Sequence, residues 1–361
     1  MGGQRSMVLL IEHLNRRVVE PMVVCPGPGE LADHLQTLDC PVAYIPLYHI
    51  KPRTLTRVWG SSRRLRRLLR ERQVDIVAPD ASRDAVTCGL AKLGTPTKMV
   101  WFIRQTAHYA LDPLLERLAD GMIGDSNDAG RRFSRAARAS GKFRAIWGGV
   151  DLHRFRPADD RTAARLALGL PSDRSLLTFV GQVKREKGVL DLVDAMGLLG
   201  RELPPERLPL LLVIGTPGPP TIVEEIRRRA AAGGVAGSVR MLPQQDNAHE
   251  WLRAADLLVS ASHQDTEGMS RVLYEAMACG AVPIATDIRG NREAVTAETG
   301  VIVPERSPLD LARAVRSLLD DPVRLARMRA HAVQRARERF DIALHARGVE
   351  RFYAEVLGRA S

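Results

Sequence analysis

"EGMSRVLYE", residues 267–275, sets a glutamate at each end of a short segment and a glycine directly behind the first. Upstream, "DLLVSAS" (256–262) reads as a strand ending at Ser262, followed by the loop "HQDTEGMS". Downstream, "SRVLYEAMACG" has helical periodicity from near Ser270 and stops at Gly280, a residue suited to a helix C-cap. Strand, loop and helix start therefore place Glu267 in the loop and Glu275 further along the helix, with the free amides of Met269, Ser270 and Arg271 at the helix mouth. Such an end attracts anions. Two carboxylates beside it suit hydroxyl groups at two levels of one ligand, such as a sugar and a ribose. Taken alone, Glu275 also reads as an ordinary helix-surface glutamate.

The same strand-then-helix alternation fills the chain. "PMVVCP" (21–26), "VAYIPL" (42–47), "VDIVAP" (74–79), "KMVWFI" (98–103), "GMIGDS" (121–126) and "RAIWGG" (144–149) form a first series. "SLLTFVG" (175–181), "LLLVIG" (210–215), "SVRMLP" (238–243), "DLLVSAS", "AVPIATD" (281–287) and "GVIVPE" (300–305) form a second. Residues 151–174, with Pro157, Gly169 and Pro171, read as a hinge between them. The expected fold is α/β: two tandem doubly wound, Rossmann-like domains facing a central cleft, 1–158 and 159–339, with a last helix over 340–361 crossing back to the first.

Composition sets limits. At 361 residues, 45% apolar and 26% charged, the chain is long enough for two cores and is not of disordered type. Neither a signal peptide nor a membrane-spanning segment is legible; Glu12 interrupts the one apolar run near the start. The four cysteines, Cys25, Cys40, Cys88 and Cys279, lack metal-ligand spacing and read as buried thiols of a cytoplasmic protein. The net charge of +11 concentrates in "SSRRLRRLLRERQ" (61–73), where Leu65, Leu68 and Leu69 share a helical face. Two readings are open: a solvated surface helix, or peripheral contact with anionic lipid on the inner face of the cytoplasmic membrane. Few aromatics and no basic-aromatic interleaving argue against nucleic acid.

Two further stretches carry chemistry. "FVGQVKREKG" (179–188) puts Gly181 at a strand end and Lys187 just before a helix, an arrangement that suits a diphosphate. "VIGTPG" (213–218) repeats the theme, Gly215 letting the backbone approach a ligand. In order, "GGVDLHRFRP" (148–157), "VGQVKREKG", "VIG" and "EGMSRVLYEAMACGAVPIATDIRGNREAV" resemble the family 4 glycosyltransferases of GT-B fold, the E-x7-E retaining enzymes that use nucleotide-sugar donors. The resemblance covers essentially the whole chain.

That resemblance implies specific roles. Glu267 contacts donor-sugar hydroxyls, Glu275 holds the ribose, and Lys187 neutralises the diphosphate leaving group. The donor-binding set is Gly181, Gln182, Lys187, Gly215, Met241, Leu242, Gly268, Met269, Ser270 and Glu275, with the backbone at 241 and 242 reading the base. Reaction proceeds on the front face with retention, with no metal and no cofactor besides the nucleotide-sugar substrate, to a glycan or lipid-linked acceptor. The sequence departs from the pattern in three places. Gln182 stands where the family has arginine, with Lys184 and Arg185 as candidate replacements. Arg104 stands where a histidine is common; it is able to bind an anion but not to move a proton. "MGGQRSMVLLIEHL" resembles the family's glycine loop and first helix, so Gly2 and Gly3 are expected in the donor-acceptor loop and the first strand of the N-terminal domain is expected to be missing. A non-catalytic, truncated nucleotide-sugar-binding protein is the alternative; a GT-B sugar-nucleotide epimerase is disfavoured by the paired glutamates.

Overall fold

The computed structural model describes residues 2–104, 107–264 and 268–359. The chain forms two compact units, Met1–Gly149 with Ile342–Ser361, and Val150–Asp341. Among the described residues there are twelve strands, all parallel; eleven fall within the apolar runs read from the sequence, and the sixth, Phe143–Ala145, begins one residue before the run 144–149.

In the first unit the strands are β1 (Val23–Cys25), β2 (Val42–Tyr44), β3 (Ile76–Val77), β4 (Lys98–Ile103), β5 (Gly121–Gly124) and β6 (Phe143–Ala145). They form two sheets, β1-β2 and β3-β4-β5-β6. Successive residues of β4 show how the layers arise, because side chains alternate across a strand. Met99, Trp101 and Ile103 join a cluster with Leu65 and Leu69 of the helix Leu55–Glu71 and Ala85 and Ala91 of the helix Ser82–Lys92. Val100 and Phe102 face the other way, onto Leu10, Leu14, Val349 and Phe352. The leucines of the arginine-rich stretch are thus docked on a sheet.

The helix Gly2–His13 spans both sheets: Leu10 packs with Val100, while Ile11 packs with Cys25 and Leu35 next to β1. Gly2 and Gly3 lie in this helix, not in a loop, because helical backbone begins with Gly2. β1 and β3 are each left as edge strands, and the helix covers the apolar side chains of both. The helix Ile342–Val356 completes the layer: His345 Nδ1 meets the Trp147 carbonyl at 2.7 Å, and Phe352 packs over Gly121.

The second unit holds β7 (Leu176–Val180), β8 (Leu210–Ile214), β9 (Val239–Leu242), β10 (Leu257–Ser260), β11 (Val282–Thr286) and β12 (Val301–Val303), in the order β12-β11-β10-β7-β8-β9. Leu177 and Phe179 face one helical layer with Leu192, Met196 and Val315, whereas Leu176 turns to Trp251 and Ala254 on the other. Both faces of the sheet are covered, as the near-continuous apolar strands require. The segment 151–174 is packed into this unit. Its helix Arg161–Ala167 sends Arg165 to the Ala254 carbonyl at 3.0 Å and to Asp256 at 2.6 Å.

Asp256 gathers this end of the sheet. It accepts from Arg161, Arg165, Arg329 and the backbone amide of Leu176. Burial, then the nearby Arg329, push Arg161 down to about 10, against the pull of the carboxylate. All four cysteines are buried as free thiols, and burial pushes Cys279 up to about 12. Asp256→Ala leaves three crowded guanidiniums facing one another. The expected loss is about 3 kcal/mol or more, read from urea unfolding; a change under about 0.5 kcal/mol, the size of an ordinary surface substitution, contradicts the role given to Asp256.

Candidate functional site

The strand order of the second unit fixes where a ligand fits. The chain runs β7, β8, β9 outward on one side, then returns to place β10, β11 and β12 on the other. The loops after β7 and β10 therefore leave in opposite directions, and a ligand crevice opens at the carboxyl ends at such a switch point. Lys187 lies in the loop after β7, in the 3₁₀ turn Arg185–Lys187. The loop after β10 leads to the helix Arg271–Cys279, whose N-cap is Ser270. Gly215 follows β8, and Met241 and Leu242 end β9. The expected donor residues of this unit thus come from four adjacent strands.

Backbone contact holds these loops in register. Gly188 has φ 67°, and a Cβ there would sit 1.9 Å from the Ala261 carbonyl oxygen. The loop bearing Lys187 is therefore pressed onto the end of the strand leading to Glu267. A side chain on Gly215 would meet the Gly181 carbonyl at 1.7 Å, and one on Gly290 the Gly268 carbonyl at 1.8 Å. Gly181 donates to Ile214, and Gly215 to the Leu242 carbonyl at 3.2 Å. Polar pairs add to this. The backbone amide of His263 donates to the Glu186 carbonyl at 2.9 Å, and His263 Nε2 meets Asp191 at 2.8 Å. Buried Asn291 donates to the Thr286 carbonyl at 3.1 Å and accepts from the Ser270 amide at 3.5 Å.

Gly268, Met269 and Ser270 are buried at the helix mouth. The helix ends at Gly280 with φ 80°, a left-handed cap. Glu275 is mostly buried and accepts from Arg271, one turn back, at 2.8 Å. Its Oε2 has no hydrogen-bond partner among the described residues. Burial acts against the charge on Arg271, yet Glu275 and Tyr274 together raise its pKa above the ordinary arginine value. Tyr274 stacks on Phe340, 5.0 Å between ring centres, which fixes the far side of this helix. Gln182 is half-buried beside Gly181. Glu267 lies outside the described residues.

Of the two cations considered as substitutes for the family's arginine, Arg185 is committed elsewhere. It donates to Glu225 at 2.6 Å, and that hydrogen bond, then one from Arg229, holds the Glu225 carboxyl below the usual range. Lys184 is exposed, with no ion pair among the described residues. In the first unit, Arg104 pairs through Nε with Asp80 and lies over the Phe102 ring at 5.8 Å, beside Gly3. Its buried Nη2 has no partner among the described residues. Burial raises the Asp80 pKa, against the pull of Arg104.

Sequence reasoning passed over Gly290, Asn291 and the Asp191–His263 pair. The first two sit inside the quoted motif, where "RGN" at 289–291 was the available signal. The pair spans 72 residues and left none. Among the described residues no cluster of His, Cys, Asp or Glu could hold a metal, and no helix is long and apolar enough to cross a membrane. Gly188→Ala forces a left-handed alanine, costing about 1–2 kcal/mol before any clash, and displaces the Lys187 turn. The expected outcome is a lower melting temperature and weakened binding of a nucleoside diphosphate by calorimetry; unchanged binding contradicts the placement.

Two family profiles match the chain. "Glycosyl transferases group 1" covers residues 160–339 and "Glycosyltransferase Family 4" residues 1–154. The D-inositol 3-phosphate glycosyltransferase of Jonesia denitrificans is 35% identical over 204 residues, covering 55% of this chain and 48% of that protein. That of Streptomyces bingchenggensis is 35% identical over 246 residues, 66% of this chain and 53% of the relative. The chain thus spans about half the length of these relatives. Among solved structures, a Rickettsia africae glycosyltransferase superposes with TM-score 0.86 at 18% identity, covering 99% of this chain and 95% of the other. HepE of Anabaena, solved with UDP and glucose, gives 0.79 at 18% identity, over 98% and 96%. With fold, loop order and both profiles in agreement, the chain belongs to the family 4 glycosyltransferases of GT-B fold.

Proposed function

We propose that the chain is a retaining hexosyltransferase that moves a hexosyl group from a nucleoside-diphosphate sugar, a UDP-sugar, to a glycan or lipid-linked acceptor in cell-surface polysaccharide or glycolipid synthesis. The observation carrying this reading is the meeting of the Lys187 turn and the helix start at Ser270 on either side of the β7/β10 switch point. A diphosphate placed there is neutralised by Lys187 and by amides at 268–270. Glu275 takes the ribose through its second oxygen, and the backbone of Met241 and Leu242 borders the base. Glu267 takes hydroxyls of the transferred sugar. The acceptor attacks on the face from which the diphosphate leaves. Within the first unit, Arg104 offers an anion contact through its buried Nη2. No resident metal or cofactor takes part.

Relatives named for D-inositol 3-phosphate make a polyol phosphate the first soluble acceptor to test. The protein works on the cytoplasmic side of the membrane, peripheral on its inner face, in contact with anionic lipid through residues 61–73. One observation favours a second reading, nucleotide-sugar binding without turnover: Gln182 replaces a cation and Arg185 is tied to Glu225.

The test is release of free nucleoside diphosphate from a panel of UDP- and GDP-sugars, followed by mass spectrometry with soluble and lipid acceptors. The wild type releases UDP. Glu267→Gln abolishes release, and Lys187→Ala slows it by about 10²–10³, the typical effect of removing a preorganised charge at a leaving group. Tight nucleotide binding with no release from any donor refutes the enzyme and establishes the second reading.

A further inference from the structure

The first unit holds a cavity that the transferase reading does not use. β4, β5 and β6 begin at Lys98, Gly121 and Phe143, and a hollow of about 580 Å³ opens beside these amino ends. Arg104 follows β4 at the other edge of the sheet, the edge at which α/β sheets hold their reacting ligands. The helix Ile342–Val356 supplies one wall. On it Glu355 accepts from Arg144 at 2.9 Å, and the same guanidinium lies over the Phe352 ring at 5.3 Å. The end of the helix Asp112–Leu118 and the turn before β6 supply the rest of the lining. A space of this size suits a small molecule.

Charge inside it is unbalanced. Lys98, Arg117, Lys142 and Arg144 face two carboxylates, Asp120 and Glu355. Both carboxylates are already engaged. Asp120 accepts from Lys92 and from the Met99 amide at 2.7 Å, with Lys98 at 3.6 Å. Burial works against its charge, yet Lys92 and the Met99 amide hold its carboxyl below the usual range. Glu355 is held by Arg144. Arg117 and Lys142 are left with no ion pair and no side-chain hydrogen bond among the described residues. Lys142 is half-buried, and that burial lowers its pKa against the pull of Asp120 and Glu116. An ammonium taken partly out of water without a counter-charge is costly, and an anion in the cavity offsets that cost.

We infer that this cavity is a second ligand site, one that takes the phosphomonoester of a small hydroxylated molecule such as a sugar phosphate. Its phosphate meets Arg117 and Lys142, two cations for a dianion, and the arginine fork matches phosphate oxygens. A bare phosphate fills only a small part of the space. The remaining lining is polar: the Ser140 hydroxyl and the unused lone pairs of Asp120 and Glu355 are placed to accept from hydroxyl groups. Those two carboxylates also disfavour a polyanion.

The experiment is calorimetry of the full chain with ribose 5-phosphate, inorganic phosphate and ribose. Ribose 5-phosphate should bind most tightly, and ribose should not bind. Arg117→Ala and Lys142→Ala should each weaken the phosphoester about tenfold or more, the effect of one lost charge-assisted contact; Lys142→Arg should retain it. Ligand should raise the melting temperature of the wild type and not of the double alanine variant, while the two proteins melt alike without ligand. Acetic anhydride labelling read by mass spectrometry should show Lys142 protected by ribose 5-phosphate. Lys187→Ala should leave the binding unchanged. Undiminished affinity in the double variant, loss of binding in Lys187→Ala, no protection of Lys142, or no binding at millimolar concentration overturns the inference. Inorganic phosphate bound as tightly as the ester overturns the hydroxylated body. None of these readouts needs sugar transfer, so phosphoester binding without nucleotide release refutes the transferase reading alone, and release without phosphoester binding refutes the second site alone.

Discussion

The backbone contact between Gly188 and the Ala261 carbonyl is the constraint on which the site depends. In a parallel sheet whose strand order reverses, two loops leave adjacent strands in opposite directions, and nothing in the ladder itself holds them together. Here no side chain comes between them: the turn carrying Lys187 lies directly on the end of β10. The amide of His263 and the His263–Asp191 pair tie the same two segments a second time. On the far side, Gly290 lies against Gly268 and Asn291 reaches the Ser270 amide, so the helix mouth is held from behind as well. Preorganisation of this kind matters for a diphosphate, because charges and amides fixed before binding need no reorganisation when negative charge develops.

Much of the arginine excess is structural. Three arginines converge on Asp256, and Arg132 is buried against Asp112, Ser82 and the face of Trp101. Guanidinium suits this use, since a planar group with five donors satisfies carboxylates, carbonyls and aromatic faces together. The helix Leu55–Glu71 shows both uses in one element, two arginines turned to carbonyls and others left to solvent. Net charge by itself therefore overstates the cationic surface offered to a partner.

What the sequence disclosed and what it hid follow from the range of the interactions. Strands were legible because most are local runs of apolar residues, and the helix ending at Gly280 because its cap is a local signal. The strand–loop–helix pattern put Gly268–Ser270, Glu275 and Lys187 on the elements where they are found. Arg185 looked available because nothing local marks its partner Glu225, 40 residues away. Residues 151–174 looked like a hinge from their Pro and Gly content, but Arg165 reaches Ala254 and Asp256, about 90 residues on. Gly2 and Gly3 were expected in a loop from the family resemblance, but helical backbone runs from Gly2 to His13.

The most direct measurement is a structure of the chain with UDP bound. The diphosphate is expected within hydrogen-bonding distance of Lys187 Nζ and the amides at residues 268–270, with the ribose on Glu275. A nucleotide seated elsewhere, or seated there with Lys187 turned away from the diphosphate, contradicts it.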